Sequence, residues 1–79
     1  MTQYFFNLHN DVEAVDEEGM DFPNDSAALH YAAQSIRSLV AHSIDATGQF
    51  ALHHSIDVLK ENAVLLANIK YGDVITVLP

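Results

Sequence analysis

From Leu29 to Ile44 the apolar residues Leu29, Ala32, Ala33, Ile36, Leu39, Val40 and Ile44 recur at three- and four-residue steps, the spacing that gathers side chains on one face of an α-helix. No other segment of the 79 residues keeps that period, so the chain has one substantial helix and must complete its core from strands. The segment Pro23-Asn24-Asp25-Ser26 is a helix start, with Asn24 able to cap the first amides and Asp25 placed where the helix dipole favours a carboxylate. Thr47-Gly48 supplies the stop, because glycine tolerates the left-handed conformation that ends a helix.

The other segments read as strands. Tyr4 to His9 puts Tyr4, Phe6 and Leu8 on one side and Phe5, Asn7 and His9 on the other, which suits a strand with one buried face. Asn10 to Glu18 is polar, Gly19 permits a turn, and Met20 to Phe22 is a short second strand. Gln49 to Lys60 alternates with period two, Phe50, Leu52, His54, Ile56 and Val58 against Ala51, His53, Ser55, Asp57 and Leu59. Glu61-Asn62 turns the chain into Val64 to Tyr71, whose core face is expected to be Leu65, Ala67, Ile69 and Tyr71. After a bend at Gly72-Asp73, Val74 to Leu78 is apolar enough for another short strand. The expected fold class is α+β: one domain over residues 1–79, a small, mostly antiparallel sheet of about three to five strands with one helix packed on one face. The element order is β, short β, α, β, β.

A chain of this length buries roughly 60% of its unfolded surface, and a core of that size supplies about 3–5 kcal/mol. There is no cysteine, so no disulfide reinforces it, as expected in a reducing compartment. One helix covers one face of a sheet, yet Phe5, Leu59, Val64 and Leu66, followed by Val74, Ile75, Val77 and Leu78, add apolar surface beyond its reach. A homodimer, formed through the open sheet face or through a sheet edge, is the expected remedy.

Seven of the eleven acidic residues, Asp11, Glu13, Asp16, Glu17, Glu18, Asp21 and Asp25, fall between the first strand and the helix. With a formal charge of −8, the chain repels nucleic acid and anionic membranes. The acidic loop is then a solvated rim or a dock for a basic protein partner. It is not an EF-hand: counted from Asp11, Val15 stands at the fifth position, Asp16 at the glycine position and Phe22 at the glutamate position. Neither the N-terminal residues nor any apolar run has the form of a signal peptide or a membrane span, and a soluble, cytoplasmic protein is expected.

Five histidines invite a metal reading, but none stands four residues from another on the helix, and His53 and His54 are adjacent in the expected strand and so diverge. No metal or other cofactor is expected. If the first and third strands are neighbours, Asn7, His9, His53, Ser55 and Asp57 share the sheet face away from the helix. There Asp57 could orient His53 as a base toward Ser55 or toward a ligand. Phosphate-cradling loops, dinucleotide fingerprints and nucleophile elbows are missing. The leading expectation is a non-enzymatic, self-associating protein-interaction module. The alternative is a small-ligand or metal-binding domain that uses His9, His53 and Asp57.

The run Tyr4-Phe5-Phe6-Asn7-Leu8-His9, then Asp16-Glu17-Glu18-Gly19, then Phe22-Pro23-Asn24 opening an Ala-rich helix, resembles a family of short bacterial proteins known only as a domain of unknown function. Ser55-Ile56-Asp57-Val58, Val64-Leu65-Leu66 and Tyr71-Gly72-Asp73-Val74 extend the resemblance over nearly the whole chain. Two departures stand out: Asn24 replaces the family's usual Asp, an equivalent cap, and Asn62-Ala63 replaces a usual turn glycine. The resemblance implies no activity, cofactor or site residue. A fainter one, from Asp16 to about Val40, is to the antitoxins of HicAB-type pairs, which would imply an acidic domain sequestering a basic partner.

Overall fold

The expected helix is α1, Asp25–Thr47, in a computed structural model that describes all 79 residues. Its two ends follow local chemistry: Asn24 Oδ1 accepts from the Ala27 amide at 2.8 Å, and Gly48, at φ +74°, donates its amide to the Ile44 carbonyl at 2.8 Å. The strands are β1 (Thr2–His9), β2 (Glu13–Ala14), β3 (Met20–Phe22), β4 (Ser55–Lys60) and β5 (Val64–Lys70), and a single helical turn, α2, spans Tyr71–Val74. They form one antiparallel sheet in the order β2-β1-β4-β5, with β3 also paired to β1. The fold class is α+β, a small sheet with a long helix across one face.

Tyr4, Ile56 and Val58 of the sheet meet Ala28, Ala32, Ile36 and Val40 of α1, and Tyr71 completes the core. The apolar stripe of α1 starts one residue before Leu29. Ala28 belongs to it and is fully buried, while Ile44, at its far end, is 47% exposed. A 23-residue helix is about 34 Å long, whereas six residues of β4 reach about 20 Å. The last turns of α1 therefore overhang the sheet.

Three expectations are corrected. Gln49 to His54 is not strand: the His54 amide bonds the Ala51 carbonyl in a turn, and the Leu52 and His54 carbonyls accept from the amides of Gly72 and Tyr71. Backbone groups spent on α2 cannot join a ladder. Val74 to Leu78 is not a strand either, because α2 runs through Val74 and the rest is irregular; Val74 and Ile75 pack against the core. On β5 the expected core face breaks at a bulge, where Val58 pairs with Ala67 but Leu59 pairs with Leu65, leaving Leu66 as the extra residue. A one-residue slip reverses the faces: Leu66 packs on the core and Leu65 is 57% exposed.

The turn between β4 and β5 falls where expected, at Glu61–Ala63. It is made by Asn62 and Ala63 at φ +66° and +58°, so Ala63 adopts a conformation usually left to glycine or asparagine.

Candidate functional site

The face of the sheet away from α1 is built by alternation. Tyr4, Phe6 and Leu8 point to the helix, so Phe5, Asn7 and His9 point away, and pairing sets Phe5 beside Leu59, Asn7 beside Asp57 and His9 beside Ser55. On the next strand Asn68 lies beside Asp57 and Lys70 beside Ser55. Four of the five residues expected to share this face do so. His53 does not, since it sits in the turn before β4 with its ring 4.9 Å from that of His54. It cannot act on Ser55 with Asp57 behind it.

The polar part of the face is a continuous chain of hydrogen bonds. His9 Nε2 is 2.7 Å from Asp57 Oδ2, and His9 Nδ1 is 3.2 Å from Glu13 Oε1. Asn68 Nδ2 donates to Asp57 Oδ1 at 2.8 Å and to Ser55 Oγ at 3.0 Å. Ionised carboxylates only accept, so an arrangement with a carboxylate at each ring nitrogen favours the doubly protonated imidazolium form of His9. The hydrogen bond to Asp57 first, and then that to Glu13, hold its pKa above the ordinary value. Burial alone would raise the Asp57 carboxyl, but donation from Asn68 and His9 outweighs it and holds the pKa down.

The His9 contribution is complete below the ordinary imidazole pKa and lost as pH rises through its raised folded value; that of Asp57 is complete above the ordinary carboxylate pKa and lost as pH falls through its lowered value. The pair therefore stabilises most between about pH 4 and about pH 6.5. In low salt, the melting temperature of the natural protein should fall relative to that of His9→Gln as pH is raised from the top of that window into the alkaline range. Parallel curves would show that the His9–Asp57 pair does not contribute to stability as described.

Three other acids, Asp11, Asp16 and Asp25, have structural partners as well. Asp16 accepts from the amides of Phe6, Glu18 and Gly19 at 3.0–3.2 Å, and its own amide donates to Asn7 Oδ1 at 3.0 Å. Asp11 Oδ1 lies 3.4 Å from His54 Nε2. Asp25 accepts from the Tyr4 hydroxyl at 2.6 Å and meets Lys60 Nζ at 3.2 Å. That bond to Asp25, with burial behind it, pushes the Tyr4 pKa up to about 12, while donation from Tyr4 and then Lys60 lowers that of Asp25. Glu17, Glu18 and Asp21 extend into solvent.

Glu13, Asn68 and the Asp11–His54 contact were missed in the sequence. Asn10 gave the available signal: its Oδ1 accepts from the Val12 amide at 3.2 Å, the local turn that folds Glu13 back beside His9.

No group of three or more His, Cys, Asp or Glu side chains is arranged to hold a metal ion. No helix is long and apolar enough to cross a membrane. Beside the hydrogen-bonded chain the open face turns apolar. Phe5, Leu59, Ala63 and Val15 border a shallow hollow of about 330 Å³, with exposed Leu65 paired to Leu59. The face thus combines a polar half linked by hydrogen bonds with an apolar half in which Phe5 and Leu59 are half-buried and Leu65 is exposed.

Comparison with curated proteins and with solved structures gives no match. A family model does match, over residues 3–72, which take in every strand but the first residue of β1 and the whole of α1. The chain belongs to the family described as domain of unknown function DUF6894.

Proposed function

We propose that the protein is a non-enzymatic, self-associating interaction module in which two copies pack their open sheet faces together about a two-fold axis. The observation that carries this reading is the apolar half of that face, where Phe5, Leu59 and Leu65 lie side by side next to a polar row with its hydrogen bonds already made. An apolar centre beside a satisfied polar margin is the usual anatomy of a protein interface. Shape supports it. The accessible surface is 5289 Å², against about 4,700 Å² for a monomer of this mass. The radius of gyration is 12.9 Å, against about 11.6 Å for a compact domain of this length. Both departures have the sign of a chain with surface to cover.

The charge of −8 opposes self-association, so the acidic loop belongs at the rim, where Glu17, Glu18 and Asp21 also leave it attractive to a basic partner. Added salt should tighten the dimer by screening that repulsion.

Leu65→Asp is the test. Leu65 lies outside the core and is 57% exposed, so the fold should survive, while a carboxylate placed in the apolar centre should weaken association by at least about tenfold. Sedimentation should then show monomer with an unchanged far-ultraviolet spectrum. A variant that associates as well as the natural protein would overturn the reading.

A further inference from the structure

The overhanging end of α1, the loop Gln49–His54 and the start of α2 enclose a cleft of about 500 Å³ on a different part of the molecule, within the roughly 300–1,000 Å³ of small-molecule sites. Leu39, Ala46 and Phe50 give it apolar walls, and Tyr71 lines it. Tyr71 is only 4% exposed. Its hydroxyl has no hydrogen-bond partner in the chain, whereas the other buried tyrosine, Tyr4, gives its hydroxyl to Asp25. No polar side-chain atom sealed from solvent lacks a partner, so the Tyr71 hydroxyl opens on the cleft. Buried tyrosines usually have a partner, and here the hydroxyl is left to water or to another occupant of that space.

The chemistry of the lining limits the occupant. Neither Lys nor Arg borders the cleft, and its one carboxylate, Asp11, stands exposed at the lip. The hydroxyl protons of Ser43 and Thr47 are committed to the carbonyls of Gln49 and Ser43, and Thr47 Oγ1 also accepts from the Gln49 amide at 3.2 Å, which leaves the Ser43 oxygen and one lone pair of Thr47 as acceptors. An anion would find no Lys or Arg, only the imidazoles of His42 and of His54, which already faces Asp11, and would meet the field of a chain of net charge −8. A ligand that brings its own N–H donors and a positive charge matches both the acceptors and the field.

We propose that this cleft binds a small organic ammonium ion with an apolar or aromatic body. The body packs against Leu39 and Phe50, and the N–H groups are taken by the acceptors of the cleft, the Tyr71 hydroxyl among them.

The experiment is a titration of the isotope-labelled full chain, followed by amide chemical shifts, with phenethylammonium as the probe. Phenylacetate and phenethyl alcohol serve as its charge-reversed and neutral analogues. Saturable shifts are expected at Leu39, Ala46, Phe50 and Tyr71, with the ammonium binding at least about tenfold tighter than either analogue. Tyr71→Phe keeps the buried ring and should weaken binding about three- to tenfold. Ala46→Trp, at an exposed helix position, fills the cleft and should abolish the shifts while the spectrum elsewhere stays folded.

The proposal is overturned by the lack of saturable shifts up to about 10 mM ligand, by equal binding of either analogue, or by binding that survives Ala46→Trp. Shifts confined to the open sheet face would overturn it too. Leu65→Asp leaves this cleft untouched, so the dimer and the cleft stand or fall separately.

Discussion

Gly19→Ala is expected to leave little folded protein at room temperature. Gly19 has φ +73°, and a Cβ there would sit 2.8 Å from Phe5 Cε2 and 2.9 Å from the Tyr4 carbonyl oxygen. The left-handed conformation costs an alanine about 1–2 kcal/mol. The contact adds about 1–3 kcal/mol, because the carbonyl belongs to β1 and cannot move aside as a flexible side chain would. Together these rival the whole stability of a core of this size, about 3–5 kcal/mol. Gly48 is the control. It has almost the same φ, +74°, and a methyl group there would meet nothing within 4 Å, so Gly48→Ala should lose about 1–2 kcal/mol only. Urea unfolding of the two variants separates conformation from contact, and equal losses would show that the loop does not press on β1 as described.

Ile36→Ala is expected to cost about 2–5 kcal/mol, since it opens a cavity in the centre of the core. Ile36 is fully buried between Ala32 and Val40 of α1, over the strands that carry Tyr4 and Val58. Ile44 lies on the same stripe two turns on and is 47% exposed, so Ile44→Ala should stay within about 0.5 kcal/mol. Thermal melts of both should differ by at least about six degrees, given about 4–8 °C per kcal/mol for a domain of this size. Similar melts would mean that the helix does not overhang the sheet.

Those two isoleucines illustrate how far the residues alone can be read. Helix periodicity and caps are local, so Asn24, Gly48 and the stripe were legible. Which part of the stripe finds a sheet beneath it depends on strand lengths elsewhere, and Ile44 therefore looked like core. Gln49 to His54 alternates as a strand does, but its carbonyls are taken by the amides of Tyr71 and Gly72, a pairing no local pattern announces. The same error carried His53 onto a face it does not share. The bulge at Leu66 was hidden for a similar reason: the slip between Leu59 and Leu65 belongs to the pairing of two strands.

The open face fared better. Alternation in β1 and β4, which are neighbours, brings Asn7, His9, Ser55 and Asp57 together. Its ionic logic was not legible, because Glu13 arrives through a turn and Asn68 through the β5 register. Charge counting marked Asp11 to Asp25 as a solvated loop, yet Asp11, Glu13, Asp16 and Asp25 each meet a named partner. The loop is moored to the sheet at several points, and acids that reach only solvent are its minority.

The central claim is that a second copy covers the sheet face that α1 leaves open. Sedimentation equilibrium of the purified chain, at about 10–200 µM and physiological salt, tests it most directly. The account predicts a species of twice the 8.7 kDa chain mass, favoured further as salt is raised. A single species of 8.7 kDa across that range, at low and high salt alike, would contradict it.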